Sequence, residues 1–139
     1  MFTIQITAIK MATVLELKRK NLMTKYFNGI KNGDKTCEGR YWSEFWNDDL
    51  IGKTIIFFCN KDDDVVEEIN CKITHVNWYE GETKEEVIKK MLVCELTEKM
   101  LYPTKLLDDG IKEYLGLPLK TEKINGLYKM GSFHFEIVQ

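Results

Sequence analysis

The sequence of 139 residues has no long apolar segment, and its longest uninterrupted apolar run is the short stretch from Ile55 to Cys59. A membrane-spanning helix needs about 20 apolar residues, so no spanning segment is expected. The N-terminus also lacks a basic region followed by a long apolar stretch and a small-residue cleavage site, which argues against a secretion signal. These features together predict a cytoplasmic protein that does not contact a membrane.

Cysteine and histidine are too sparse and too scattered to predict a metal site. The two histidines, His75 and His134, are remote from any paired-cysteine pattern, and no Cys-x-x-Cys pair occurs among Cys37, Cys59, Cys71 and Cys94. Structural zinc sites bring such ligands together at short spacings, so no metal is predicted. The cysteines are interpreted as reduced thiols without a disulfide-linked partner. The phosphate-binding pattern Gly-x-x-x-x-Gly-Lys-Ser/Thr is absent as well, and no cofactor is predicted.

The sequence gives no sign of a domain boundary, because it has only two prolines and no repeat, low-complexity tract or Pro/Gly/Ser-rich linker. Its length suits one domain, and 44% hydrophobic residues beside 30% charged residues suffice for a buried core. We therefore predict a single domain over residues 1–139. Residues 1–11 are expected to be either an added strand or a loose extension.

Arginine is scarce, with two Arg against 18 Lys, and the basic residues are unevenly distributed. Residues 1–40 carry eight Lys and Arg against three acidic residues, whereas the rest of the chain is acidic and the net charge is −2. If the fold gathers the positive charge on one face, it can attract the phosphates of a nucleic acid through Lys18, Arg19, Lys20 and Lys25. The alternative is a solvated lysine-rich surface without a partner.

Hydrophobic periodicity predicts three helices. The first carries an apolar stripe at helical spacing, formed by Met23, Tyr26, Phe27 and Ile30. Asn21 is expected to cap this helix and Gly33 to end it. Thr83 and Glu86 form a capping box for a second helix that runs to about residue 95. The third helix is expected to end near Gly116.

Alternating apolar and polar residues predict the strands, which fall at residues 13–18, 35–41, 54–59, 68–79 and 132–137. Several of these strands stand at hairpin spacing. Strands interleaved with few helices favour an α+β fold, in which a small mixed or antiparallel barrel has its helices packed outside.

The densest group of chemically active side chains lies between Gly33 and Arg40. In an extended chain Thr36, Glu38 and Arg40 project from one face, and Lys35 stands at the entrance of the strand. A carboxylate accepts a hydrogen bond from an exocyclic amine, an arginine fork grips a phosphate or a carbonyl, and a desolvated lysine can act as a base. A structural surface pair between Glu38 and Arg40, which would contribute little to stability, is the alternative.

The order of these residues resembles the ASCH domain, a PUA-related family with the pattern Gly-x-Lys-x-x-Glu-x-Arg before a Gly-Asp-x-Ile-x-Phe strand. Here it reads Gly33-x-Lys35-Thr36-x-Glu38-x-Arg40, then Ile51-Gly52-Lys53-x-Ile55-x-Phe57, with Lys53 where the family usually has Asp. The match extends over about residues 13–138 through Asp109-Gly110-Ile111-x-x-Tyr114 and Leu127-Tyr128-x-x-Gly131. The resemblance implies a PUA-like barrel that binds RNA or a nucleotide derivative in a cleft lined by Lys35, Glu38 and Arg40.

The resemblance also leaves an enzymatic role open. Some small bacterial relatives hydrolyse 4-acetylcytidine with a lysine, a threonine three residues later and a distant glutamate. Lys35 matches that lysine, but Glu38 occupies the threonine's position, and Glu98 is the candidate for the distant acid. An amidohydrolase, or a nuclease, would use Lys35 as a base or proton shuttle and Glu38 to orient substrate or water. A third hypothesis is a PUA-like adaptor that binds a protein through its helices.

Aromatic residues follow the motif directly, in the segment from Tyr41 to Trp46. Stacking of an aromatic ring on a base contributes about 1 to 3 kcal/mol to binding. Trp42 is the preferred stacking residue over Trp46, because it is nearer to Arg40 in the sequence. The alternative is that these rings pack in the core. Tyr128, before the last strand, is predicted to border the cleft. The two histidines receive no catalytic role.

Overall fold

The computed structural model describes residues 18–62, 65–95, 102–104, 106–116 and 122–138. These residues form a five-stranded sheet and three α-helices. The strands are β1 (Lys18–Asn21), β2 (Cys37–Tyr41), β3 (Thr54–Asp62), β4 (Val65–Gly81) and β5 (Tyr128–Ile137). The helices are α1 (Thr24–Lys31), α2 (Lys84–Glu95) and α3 (Leu107–Gly116), and a 3₁₀ turn spans Asp48–Leu50. The predicted α+β class is confirmed.

The sheet curls like half of a barrel, with the strand order β1-β3-β4-β5-β2. The strands β3, β4 and β5 run antiparallel in succession, β1 lies parallel to β3, and β2 lies antiparallel to β5. The two edges are therefore β1 and β2, and within the described ranges they are not hydrogen-bonded to each other. The predicted barrel is not closed, because closure would need these edges to pair and a cavity separates them.

Each face of the sheet carries its own hydrophobic core. On one face α1 packs against the strands, and the first core includes Phe27, Ile30, Trp46, Phe57 and Phe133. On the other face α2 and α3 contribute to the second core, with Val87, Ile88, Met91, Leu92 and Met130 among its members. Fully burying one such side chain stabilises the fold by about 1.5 to 3 kcal/mol. The two cores thus hold α1 on one side of the sheet and the other two helices on the opposite side.

The pleat of β2 directs alternate side chains towards these two cores. Glu38 and Arg40 lie on the face of the first core, where Glu38 is opposite Phe133. Cys37 and Tyr41 point to the other face and belong to the second core. The prediction that Glu38 and Arg40 project from the same face of the strand is confirmed by their direct contact.

The start of α1 differs from the prediction. Asn21 does not cap the helix, because it is the last residue of β1 and pairs with Phe58 of β3. The N-cap position is taken by Met23, which is 57% exposed and does not join the apolar stripe. Gly33 follows the helix with a φ of +80°, as a glycine at a helix end commonly does.

The capping box of α2 forms as predicted. The Glu86 amide donates to Thr83 Oγ1 at 3.1 Å, and the Glu86 carboxylate in turn accepts from the Glu82 amide at 3.1 Å. These bonds satisfy amide groups that have no partner inside the helix. The third helix ends at Gly116, also as predicted. Residues 1–11 and residues 13–17 of the first predicted strand lie outside the described ranges.

The four cysteines are free thiols, and Cys37, Cys59 and Cys71 are buried. Burial chiefly raises the pKa of Cys37 to about 11 and that of Cys71 to about 12. These two thiols are therefore protonated at neutral pH and act as small apolar groups. In the part of the chain that is described, no helix has the length and apolar character needed to cross a membrane.

Candidate functional site

A cavity of about 230 Å³ lies between the two edge strands of the sheet. Asn21 and Leu22, at the end of β1, form one wall, and residues 38–40 of β2 form another. The remaining walls come from α1, from the loop that follows it and from α3. The cavity therefore occupies the opening of the incomplete barrel, where residues far apart in the sequence meet.

Lys35 is brought to this cavity by the turn after α1. The amides of Asp34 and Lys35 both donate to the Gly29 carbonyl, at 2.9 and 3.0 Å, so the chain reverses at the end of the helix. The Lys35 side chain is 2% exposed, and its ammonium lies 3.0 Å from Glu38 Oε1. A buried ammonium requires such a partner, because its desolvation costs several kcal/mol.

Glu38 joins Lys35 to Arg40. While Oε1 of its carboxylate contacts Lys35, Oε2 accepts a hydrogen bond from Arg40 Nε at 3.0 Å. The side chains of Glu38 and Arg40 are 7% and 22% exposed. Glu38 and Arg40 do form the pair that the structural alternative predicted, but Glu38 is buried, so this is not a surface pair. The three residues instead form a row of charges that begins in the interior and ends at the partly open Arg40.

The carboxyl group of Glu38 is ionised at neutral pH. Burial alone would raise its pKa, but the Lys35 ammonium and then the Arg40 guanidinium, each also hydrogen-bonded to it, outweigh this effect and hold the pKa below the usual value. An ionised carboxylate is a pure acceptor with about four lone-pair directions. Glu38 can therefore accept a further N–H from a molecule in the cavity while it remains paired with both cations.

A second wall of the cavity is fixed by Glu113 of α3. One of its oxygens accepts hydrogen bonds from the Tyr26 hydroxyl and, at 2.6 Å, from the Lys25 ammonium. Its other oxygen accepts from the Thr104 hydroxyl at 3.3 Å. Glu113 thus ties α1 to α3 across the cavity. Sequence reasoning missed it, because no local pattern links positions that are 87 residues apart.

Tyr114 approaches the cavity across Gly39. A Cβ atom at Gly39 would lie 2.7 Å from the Tyr114 hydroxyl and 2.7 Å from Met91 Cε, so the absence of a side chain permits this close contact. Burial, and next the Glu38 carboxylate, raise the pKa of Tyr114. The group is therefore a neutral hydroxyl at physiological pH, packed against Gly39 on the wall of the cavity.

Of the predicted site residues, Lys35, Glu38 and Arg40 line the cavity together, whereas Thr36, Trp42 and Tyr128 do not. The Thr36 carbonyl accepts from the Phe135 amide at 3.1 Å, and the Trp42 amide donates to the Lys129 carbonyl at 2.9 Å. Tyr128 packs against the second core, on the opposite face of the sheet. Glu98 lies outside the described residues. The functional roles assigned to all these residues stay predictions.

The aromatic ring beside Arg40 is Trp46, although sequence proximity favoured Trp42. Arg40 Cζ lies 5.3 Å from the centroid of the Trp46 ring, in a cation–π arrangement. Trp46 is 4% exposed and packs edge-on against Phe133, with ring centroids 4.9 Å apart. Trp46 is therefore a core residue whose ring contacts the Arg40 guanidinium. For Trp46 the alternative that the rings of this segment pack in the core is correct.

A separate group of polar side chains surrounds Glu95 on the face of the second core. Its carboxylate accepts from Asn77 Nδ2 at 2.9 Å and the Tyr79 hydroxyl at 2.6 Å, and its other oxygen lies 3.0 Å from His134 Nε2. The Ser132 hydroxyl lies 3.1 Å from the same His134 nitrogen but is fully buried. The Ser132 hydroxyl is thus not exposed to solvent, and the group as a whole links the end of α2 to β4 and β5.

Known structures with a similar fold were found for this chain. The crystal structure of hypothetical protein PH0355 has a TM-score of 0.62 and 24% sequence identity, over 86% of this chain and 97% of that chain. The solution NMR structure of protein PF0455 from Pyrococcus furiosus has a TM-score of 0.55 and 18% identity, over 88% of this chain and 97% of that chain. Neither the family models nor the curated proteins gave a match. At these identities the likeness establishes a shared fold and leaves the function to be argued from the cavity.

Proposed function

We propose that the cavity binds the base of an RNA residue or of a nucleotide derivative, in an incomplete PUA-like barrel of the ASCH type. The observation that carries this proposal is the row of charges formed by Lys35, Glu38 and Arg40 along one wall. Buried charges are costly to the fold, and strongly interacting ionisable groups in a cavity are a mark of functional sites.

The size of the cavity supports a small ligand. Its volume of about 230 Å³ is below the roughly 300 to 1,000 Å³ of sites that enclose drug-sized molecules. A single base with part of its sugar suits this space, whereas a folded partner or a base-paired helix does not. In RNA, such a base would have to be unpaired and turned out of its stack, as is usual for sequence-specific recognition.

The polar groups of the wall match a base that carries an exocyclic amine next to a ring acceptor. The Glu38 carboxylate accepts from an amine, as carboxylates do with the cytosine N4 amine. Lys35 uses one of its three N–H groups on Glu38, which leaves others to donate to a ring nitrogen or carbonyl. Cytosine and adenine present this pair of groups, while uracil has a carbonyl in place of the amine and would face Glu38 with an acceptor.

A hydrolase acting on 4-acetylcytidine-type nucleosides is the second candidate. One observation favours it: Lys35 is buried on the wall of the cavity beside a carboxylate, the setting in which a lysine can exchange a proton with a substrate. Against it, the Lys35 ammonium is already engaged by the Glu38 carboxylate at 3.0 Å. We therefore place binding first and hydrolysis second.

Calorimetric titration of the full chain with cytidine and uridine tests the binding proposal. We expect cytidine to bind about tenfold or more tightly than uridine, because uridine leaves Glu38 facing an acceptor. Glu38→Gln should reduce this preference, since the amide can turn its N–H towards the uracil carbonyl. The matched control is Glu136→Gln, at an exposed position of β5, which should leave the preference unchanged. Equal affinities for the two nucleosides, or no binding of either at millimolar concentration, would contradict the proposal.

A further inference from the structure

Lys20 and Arg40 stand side by side on a pair of aromatic rings at the rim of the cavity. Lys20 Nζ lies 4.3 Å from the centroid of the Phe45 ring, and Arg40 Cζ lies 5.3 Å from that of Trp46. The two rings are in edge contact, with centroids 5.1 Å apart. Arg40 lines the cavity itself, and Lys20 is close enough to Arg40 for the two positive charges to interact. Two cations thus share one platform beside the opening.

Of these two cations, Arg40 is paired with Glu38 through Nε alone, and Lys20 lacks an ion pair of the kind that neighbouring basic residues form within the described ranges. Arg19, Lys25 and Lys31 form ion pairs with Glu68, Glu113 and Glu67, at 2.7, 2.6 and 3.1 Å. Across the described ranges no carboxylate forms an ion pair with Lys20. Arg40 uses Nε for Glu38, and no hydrogen bond from its two terminal nitrogens to another described residue is found.

Electrostatics agrees with this geometry. Partial burial, and then the neighbouring Arg40 guanidinium, lower the pKa of Lys20. Both effects disfavour the protonated ammonium. An anion placed between Lys20 and Arg40 would favour both charges.

We infer that Lys20 and Arg40 form a phosphate-binding subsite at the mouth of the cavity, so that the ligand is a nucleotide rather than a free nucleoside. This inference rests on the proposed function, and it divides the site in two. The inner pair of Lys35 and Glu38 sums to no net charge and suits a neutral base. The outer pair carries two positive charges and suits a phosphate, to which the two terminal nitrogens of Arg40 can donate parallel N–H groups.

Titrations of the full chain in phosphate-free buffer at constant ionic strength test the inference. The ligands are cytidine, cytidine 5′-monophosphate, cytidine 3′-monophosphate and a dinucleotide of cytidine. We expect at least one phosphorylated ligand to bind about tenfold or more tightly than cytidine, as charge-assisted hydrogen bonds would give. A preference for a monophosphate identifies a free nucleotide as the source of the phosphate, and a preference for the dinucleotide identifies an RNA strand.

The variant Lys20→Gln distinguishes the contribution of the phosphate to the affinity from that of the base. It should remove most of the gain due to the phosphate and leave the affinity for cytidine within about twofold, because Lys20 does not line the cavity. Lys72→Gln, an exposed lysine on β4, is the matched control and should retain the full gain. Equal binding of cytidine and every phosphorylated ligand, or an equal loss of both affinities in Lys20→Gln, would overturn the inference.

Inorganic phosphate keeps the inference testable if the proposed function fails. With phosphate alone, we expect saturable shifts in the NMR signals of the Lys20 and Arg40 amides, and their loss in Lys20→Gln. If no nucleoside or nucleotide binds but these shifts occur, the base proposal fails and the phosphate subsite stands. If inorganic phosphate gives no shift that depends on Lys20, the subsite itself is refuted.

Discussion

The Lys35 ammonium and Glu38 Oε1 lie 3.0 Å apart, and these two side chains are 2% and 7% exposed. Both charges are largely removed from bulk water, so each depends on the other. The guanidinium of Arg40, bound to the second oxygen of Glu38, extends this dependence to the rim of the cavity. The stability of this wall and the ligand binding that we propose for it therefore depend on the same three side chains.

Removing one charge of the buried pair should destabilise the protein strongly. Lys35→Met leaves Glu38 buried with Arg40 as its remaining partner, and we expect a loss of about 3 to 5 kcal/mol in the free energy of unfolding. The double variant Lys35→Met/Glu38→Leu should recover most of this loss, because apolar residues of similar volume replace the ion pair. Urea unfolding of both variants measures the difference. A double variant that is no more stable than Lys35→Met would contradict the argument.

Local pattern predicts a part of this site and long-range packing decides the rest. The alternation of β2 correctly places Glu38 and Arg40 on one face, and a local capping box correctly starts α2. The expected cap at Asn21 is wrong, because parallel pairing of β1 with β3 extends the strand to that residue. The contact of Tyr26 with Glu113 joins two helices through tertiary packing, and no spacing in the sequence carries a signal for it.

The substitution Lys35→Arg distinguishes binding from hydrolysis. If the protein only binds, the positive charge and the donors survive, and most of the affinity for cytidine should remain. If the protein hydrolyses 4-acetylcytidine, Lys35→Ala should abolish turnover and Lys35→Arg should fail almost as badly, because arginine stays protonated. Chromatography of 4-acetylcytidine after incubation with each protein measures this.

Our expectation from the binding proposal is that the unmodified protein leaves 4-acetylcytidine intact. Deacetylation that disappears in Lys35→Ala and Lys35→Arg would put the hydrolase first. Deacetylation that persists in Lys35→Arg would rule out Lys35 as the general base. Circular dichroism of each variant serves as the control for folding.

Binding of single-stranded RNA should depend only modestly on salt. The sequence predicts a basic patch, but Arg19 and Lys25 are already paired with Glu68 and Glu113. If Lys20 and Arg40 contact the phosphates, log K should fall with log salt concentration with a slope of about −1.4, since single strands give about −0.7 for each contact. Fluorescence anisotropy with a short labelled RNA measures the slope, and Lys20→Gln should halve it. A slope several times steeper would indicate that more basic residues than Lys20 and Arg40 contact the phosphates.

Substitution of Gly39 should disturb the contact between β2 and α3. The new Cβ of Gly39→Ala would lie 2.7 Å from the Tyr114 hydroxyl and from Met91 Cε, which forces both of them to move. Overpacking of this kind costs about 1 to 3 kcal/mol, and the wall of the cavity would shift with Tyr114. Gly116→Ala is the control, because a Cβ at that position meets nothing within 4 Å. Thermal unfolding that is equally affected in both variants would refute the steric argument.

Acid should lower the free energy of unfolding, in part through protonation of Glu95. Burial would raise the pKa of this carboxyl group, but hydrogen bonds from Tyr79, Asn77 and His134 outweigh burial and lower the pKa instead. A carboxyl group with a lowered pKa in the folded state contributes stability above its unfolded pKa of about 4.3, and this contribution is lost as the pH falls through the folded value. Glu38, whose pKa is also lowered, contributes in the same direction.

Glu95→Gln isolates this contribution, because it removes the ionisable group and keeps the shape of the side chain. We expect the variant to be less stable than the unmodified protein at pH 7, and the difference in the free energy of unfolding to shrink as the pH falls from about 5 towards 3. The control is Glu136→Gln, which removes a carboxylate from an exposed position on the same sheet and should leave the pH dependence close to that of the unmodified protein. Urea unfolding at each pH gives the difference directly. A gap between Glu95→Gln and the unmodified protein that stays constant across this range would mean that Glu95 acts by shape and hydrogen bonding alone, without linkage to its ionisation.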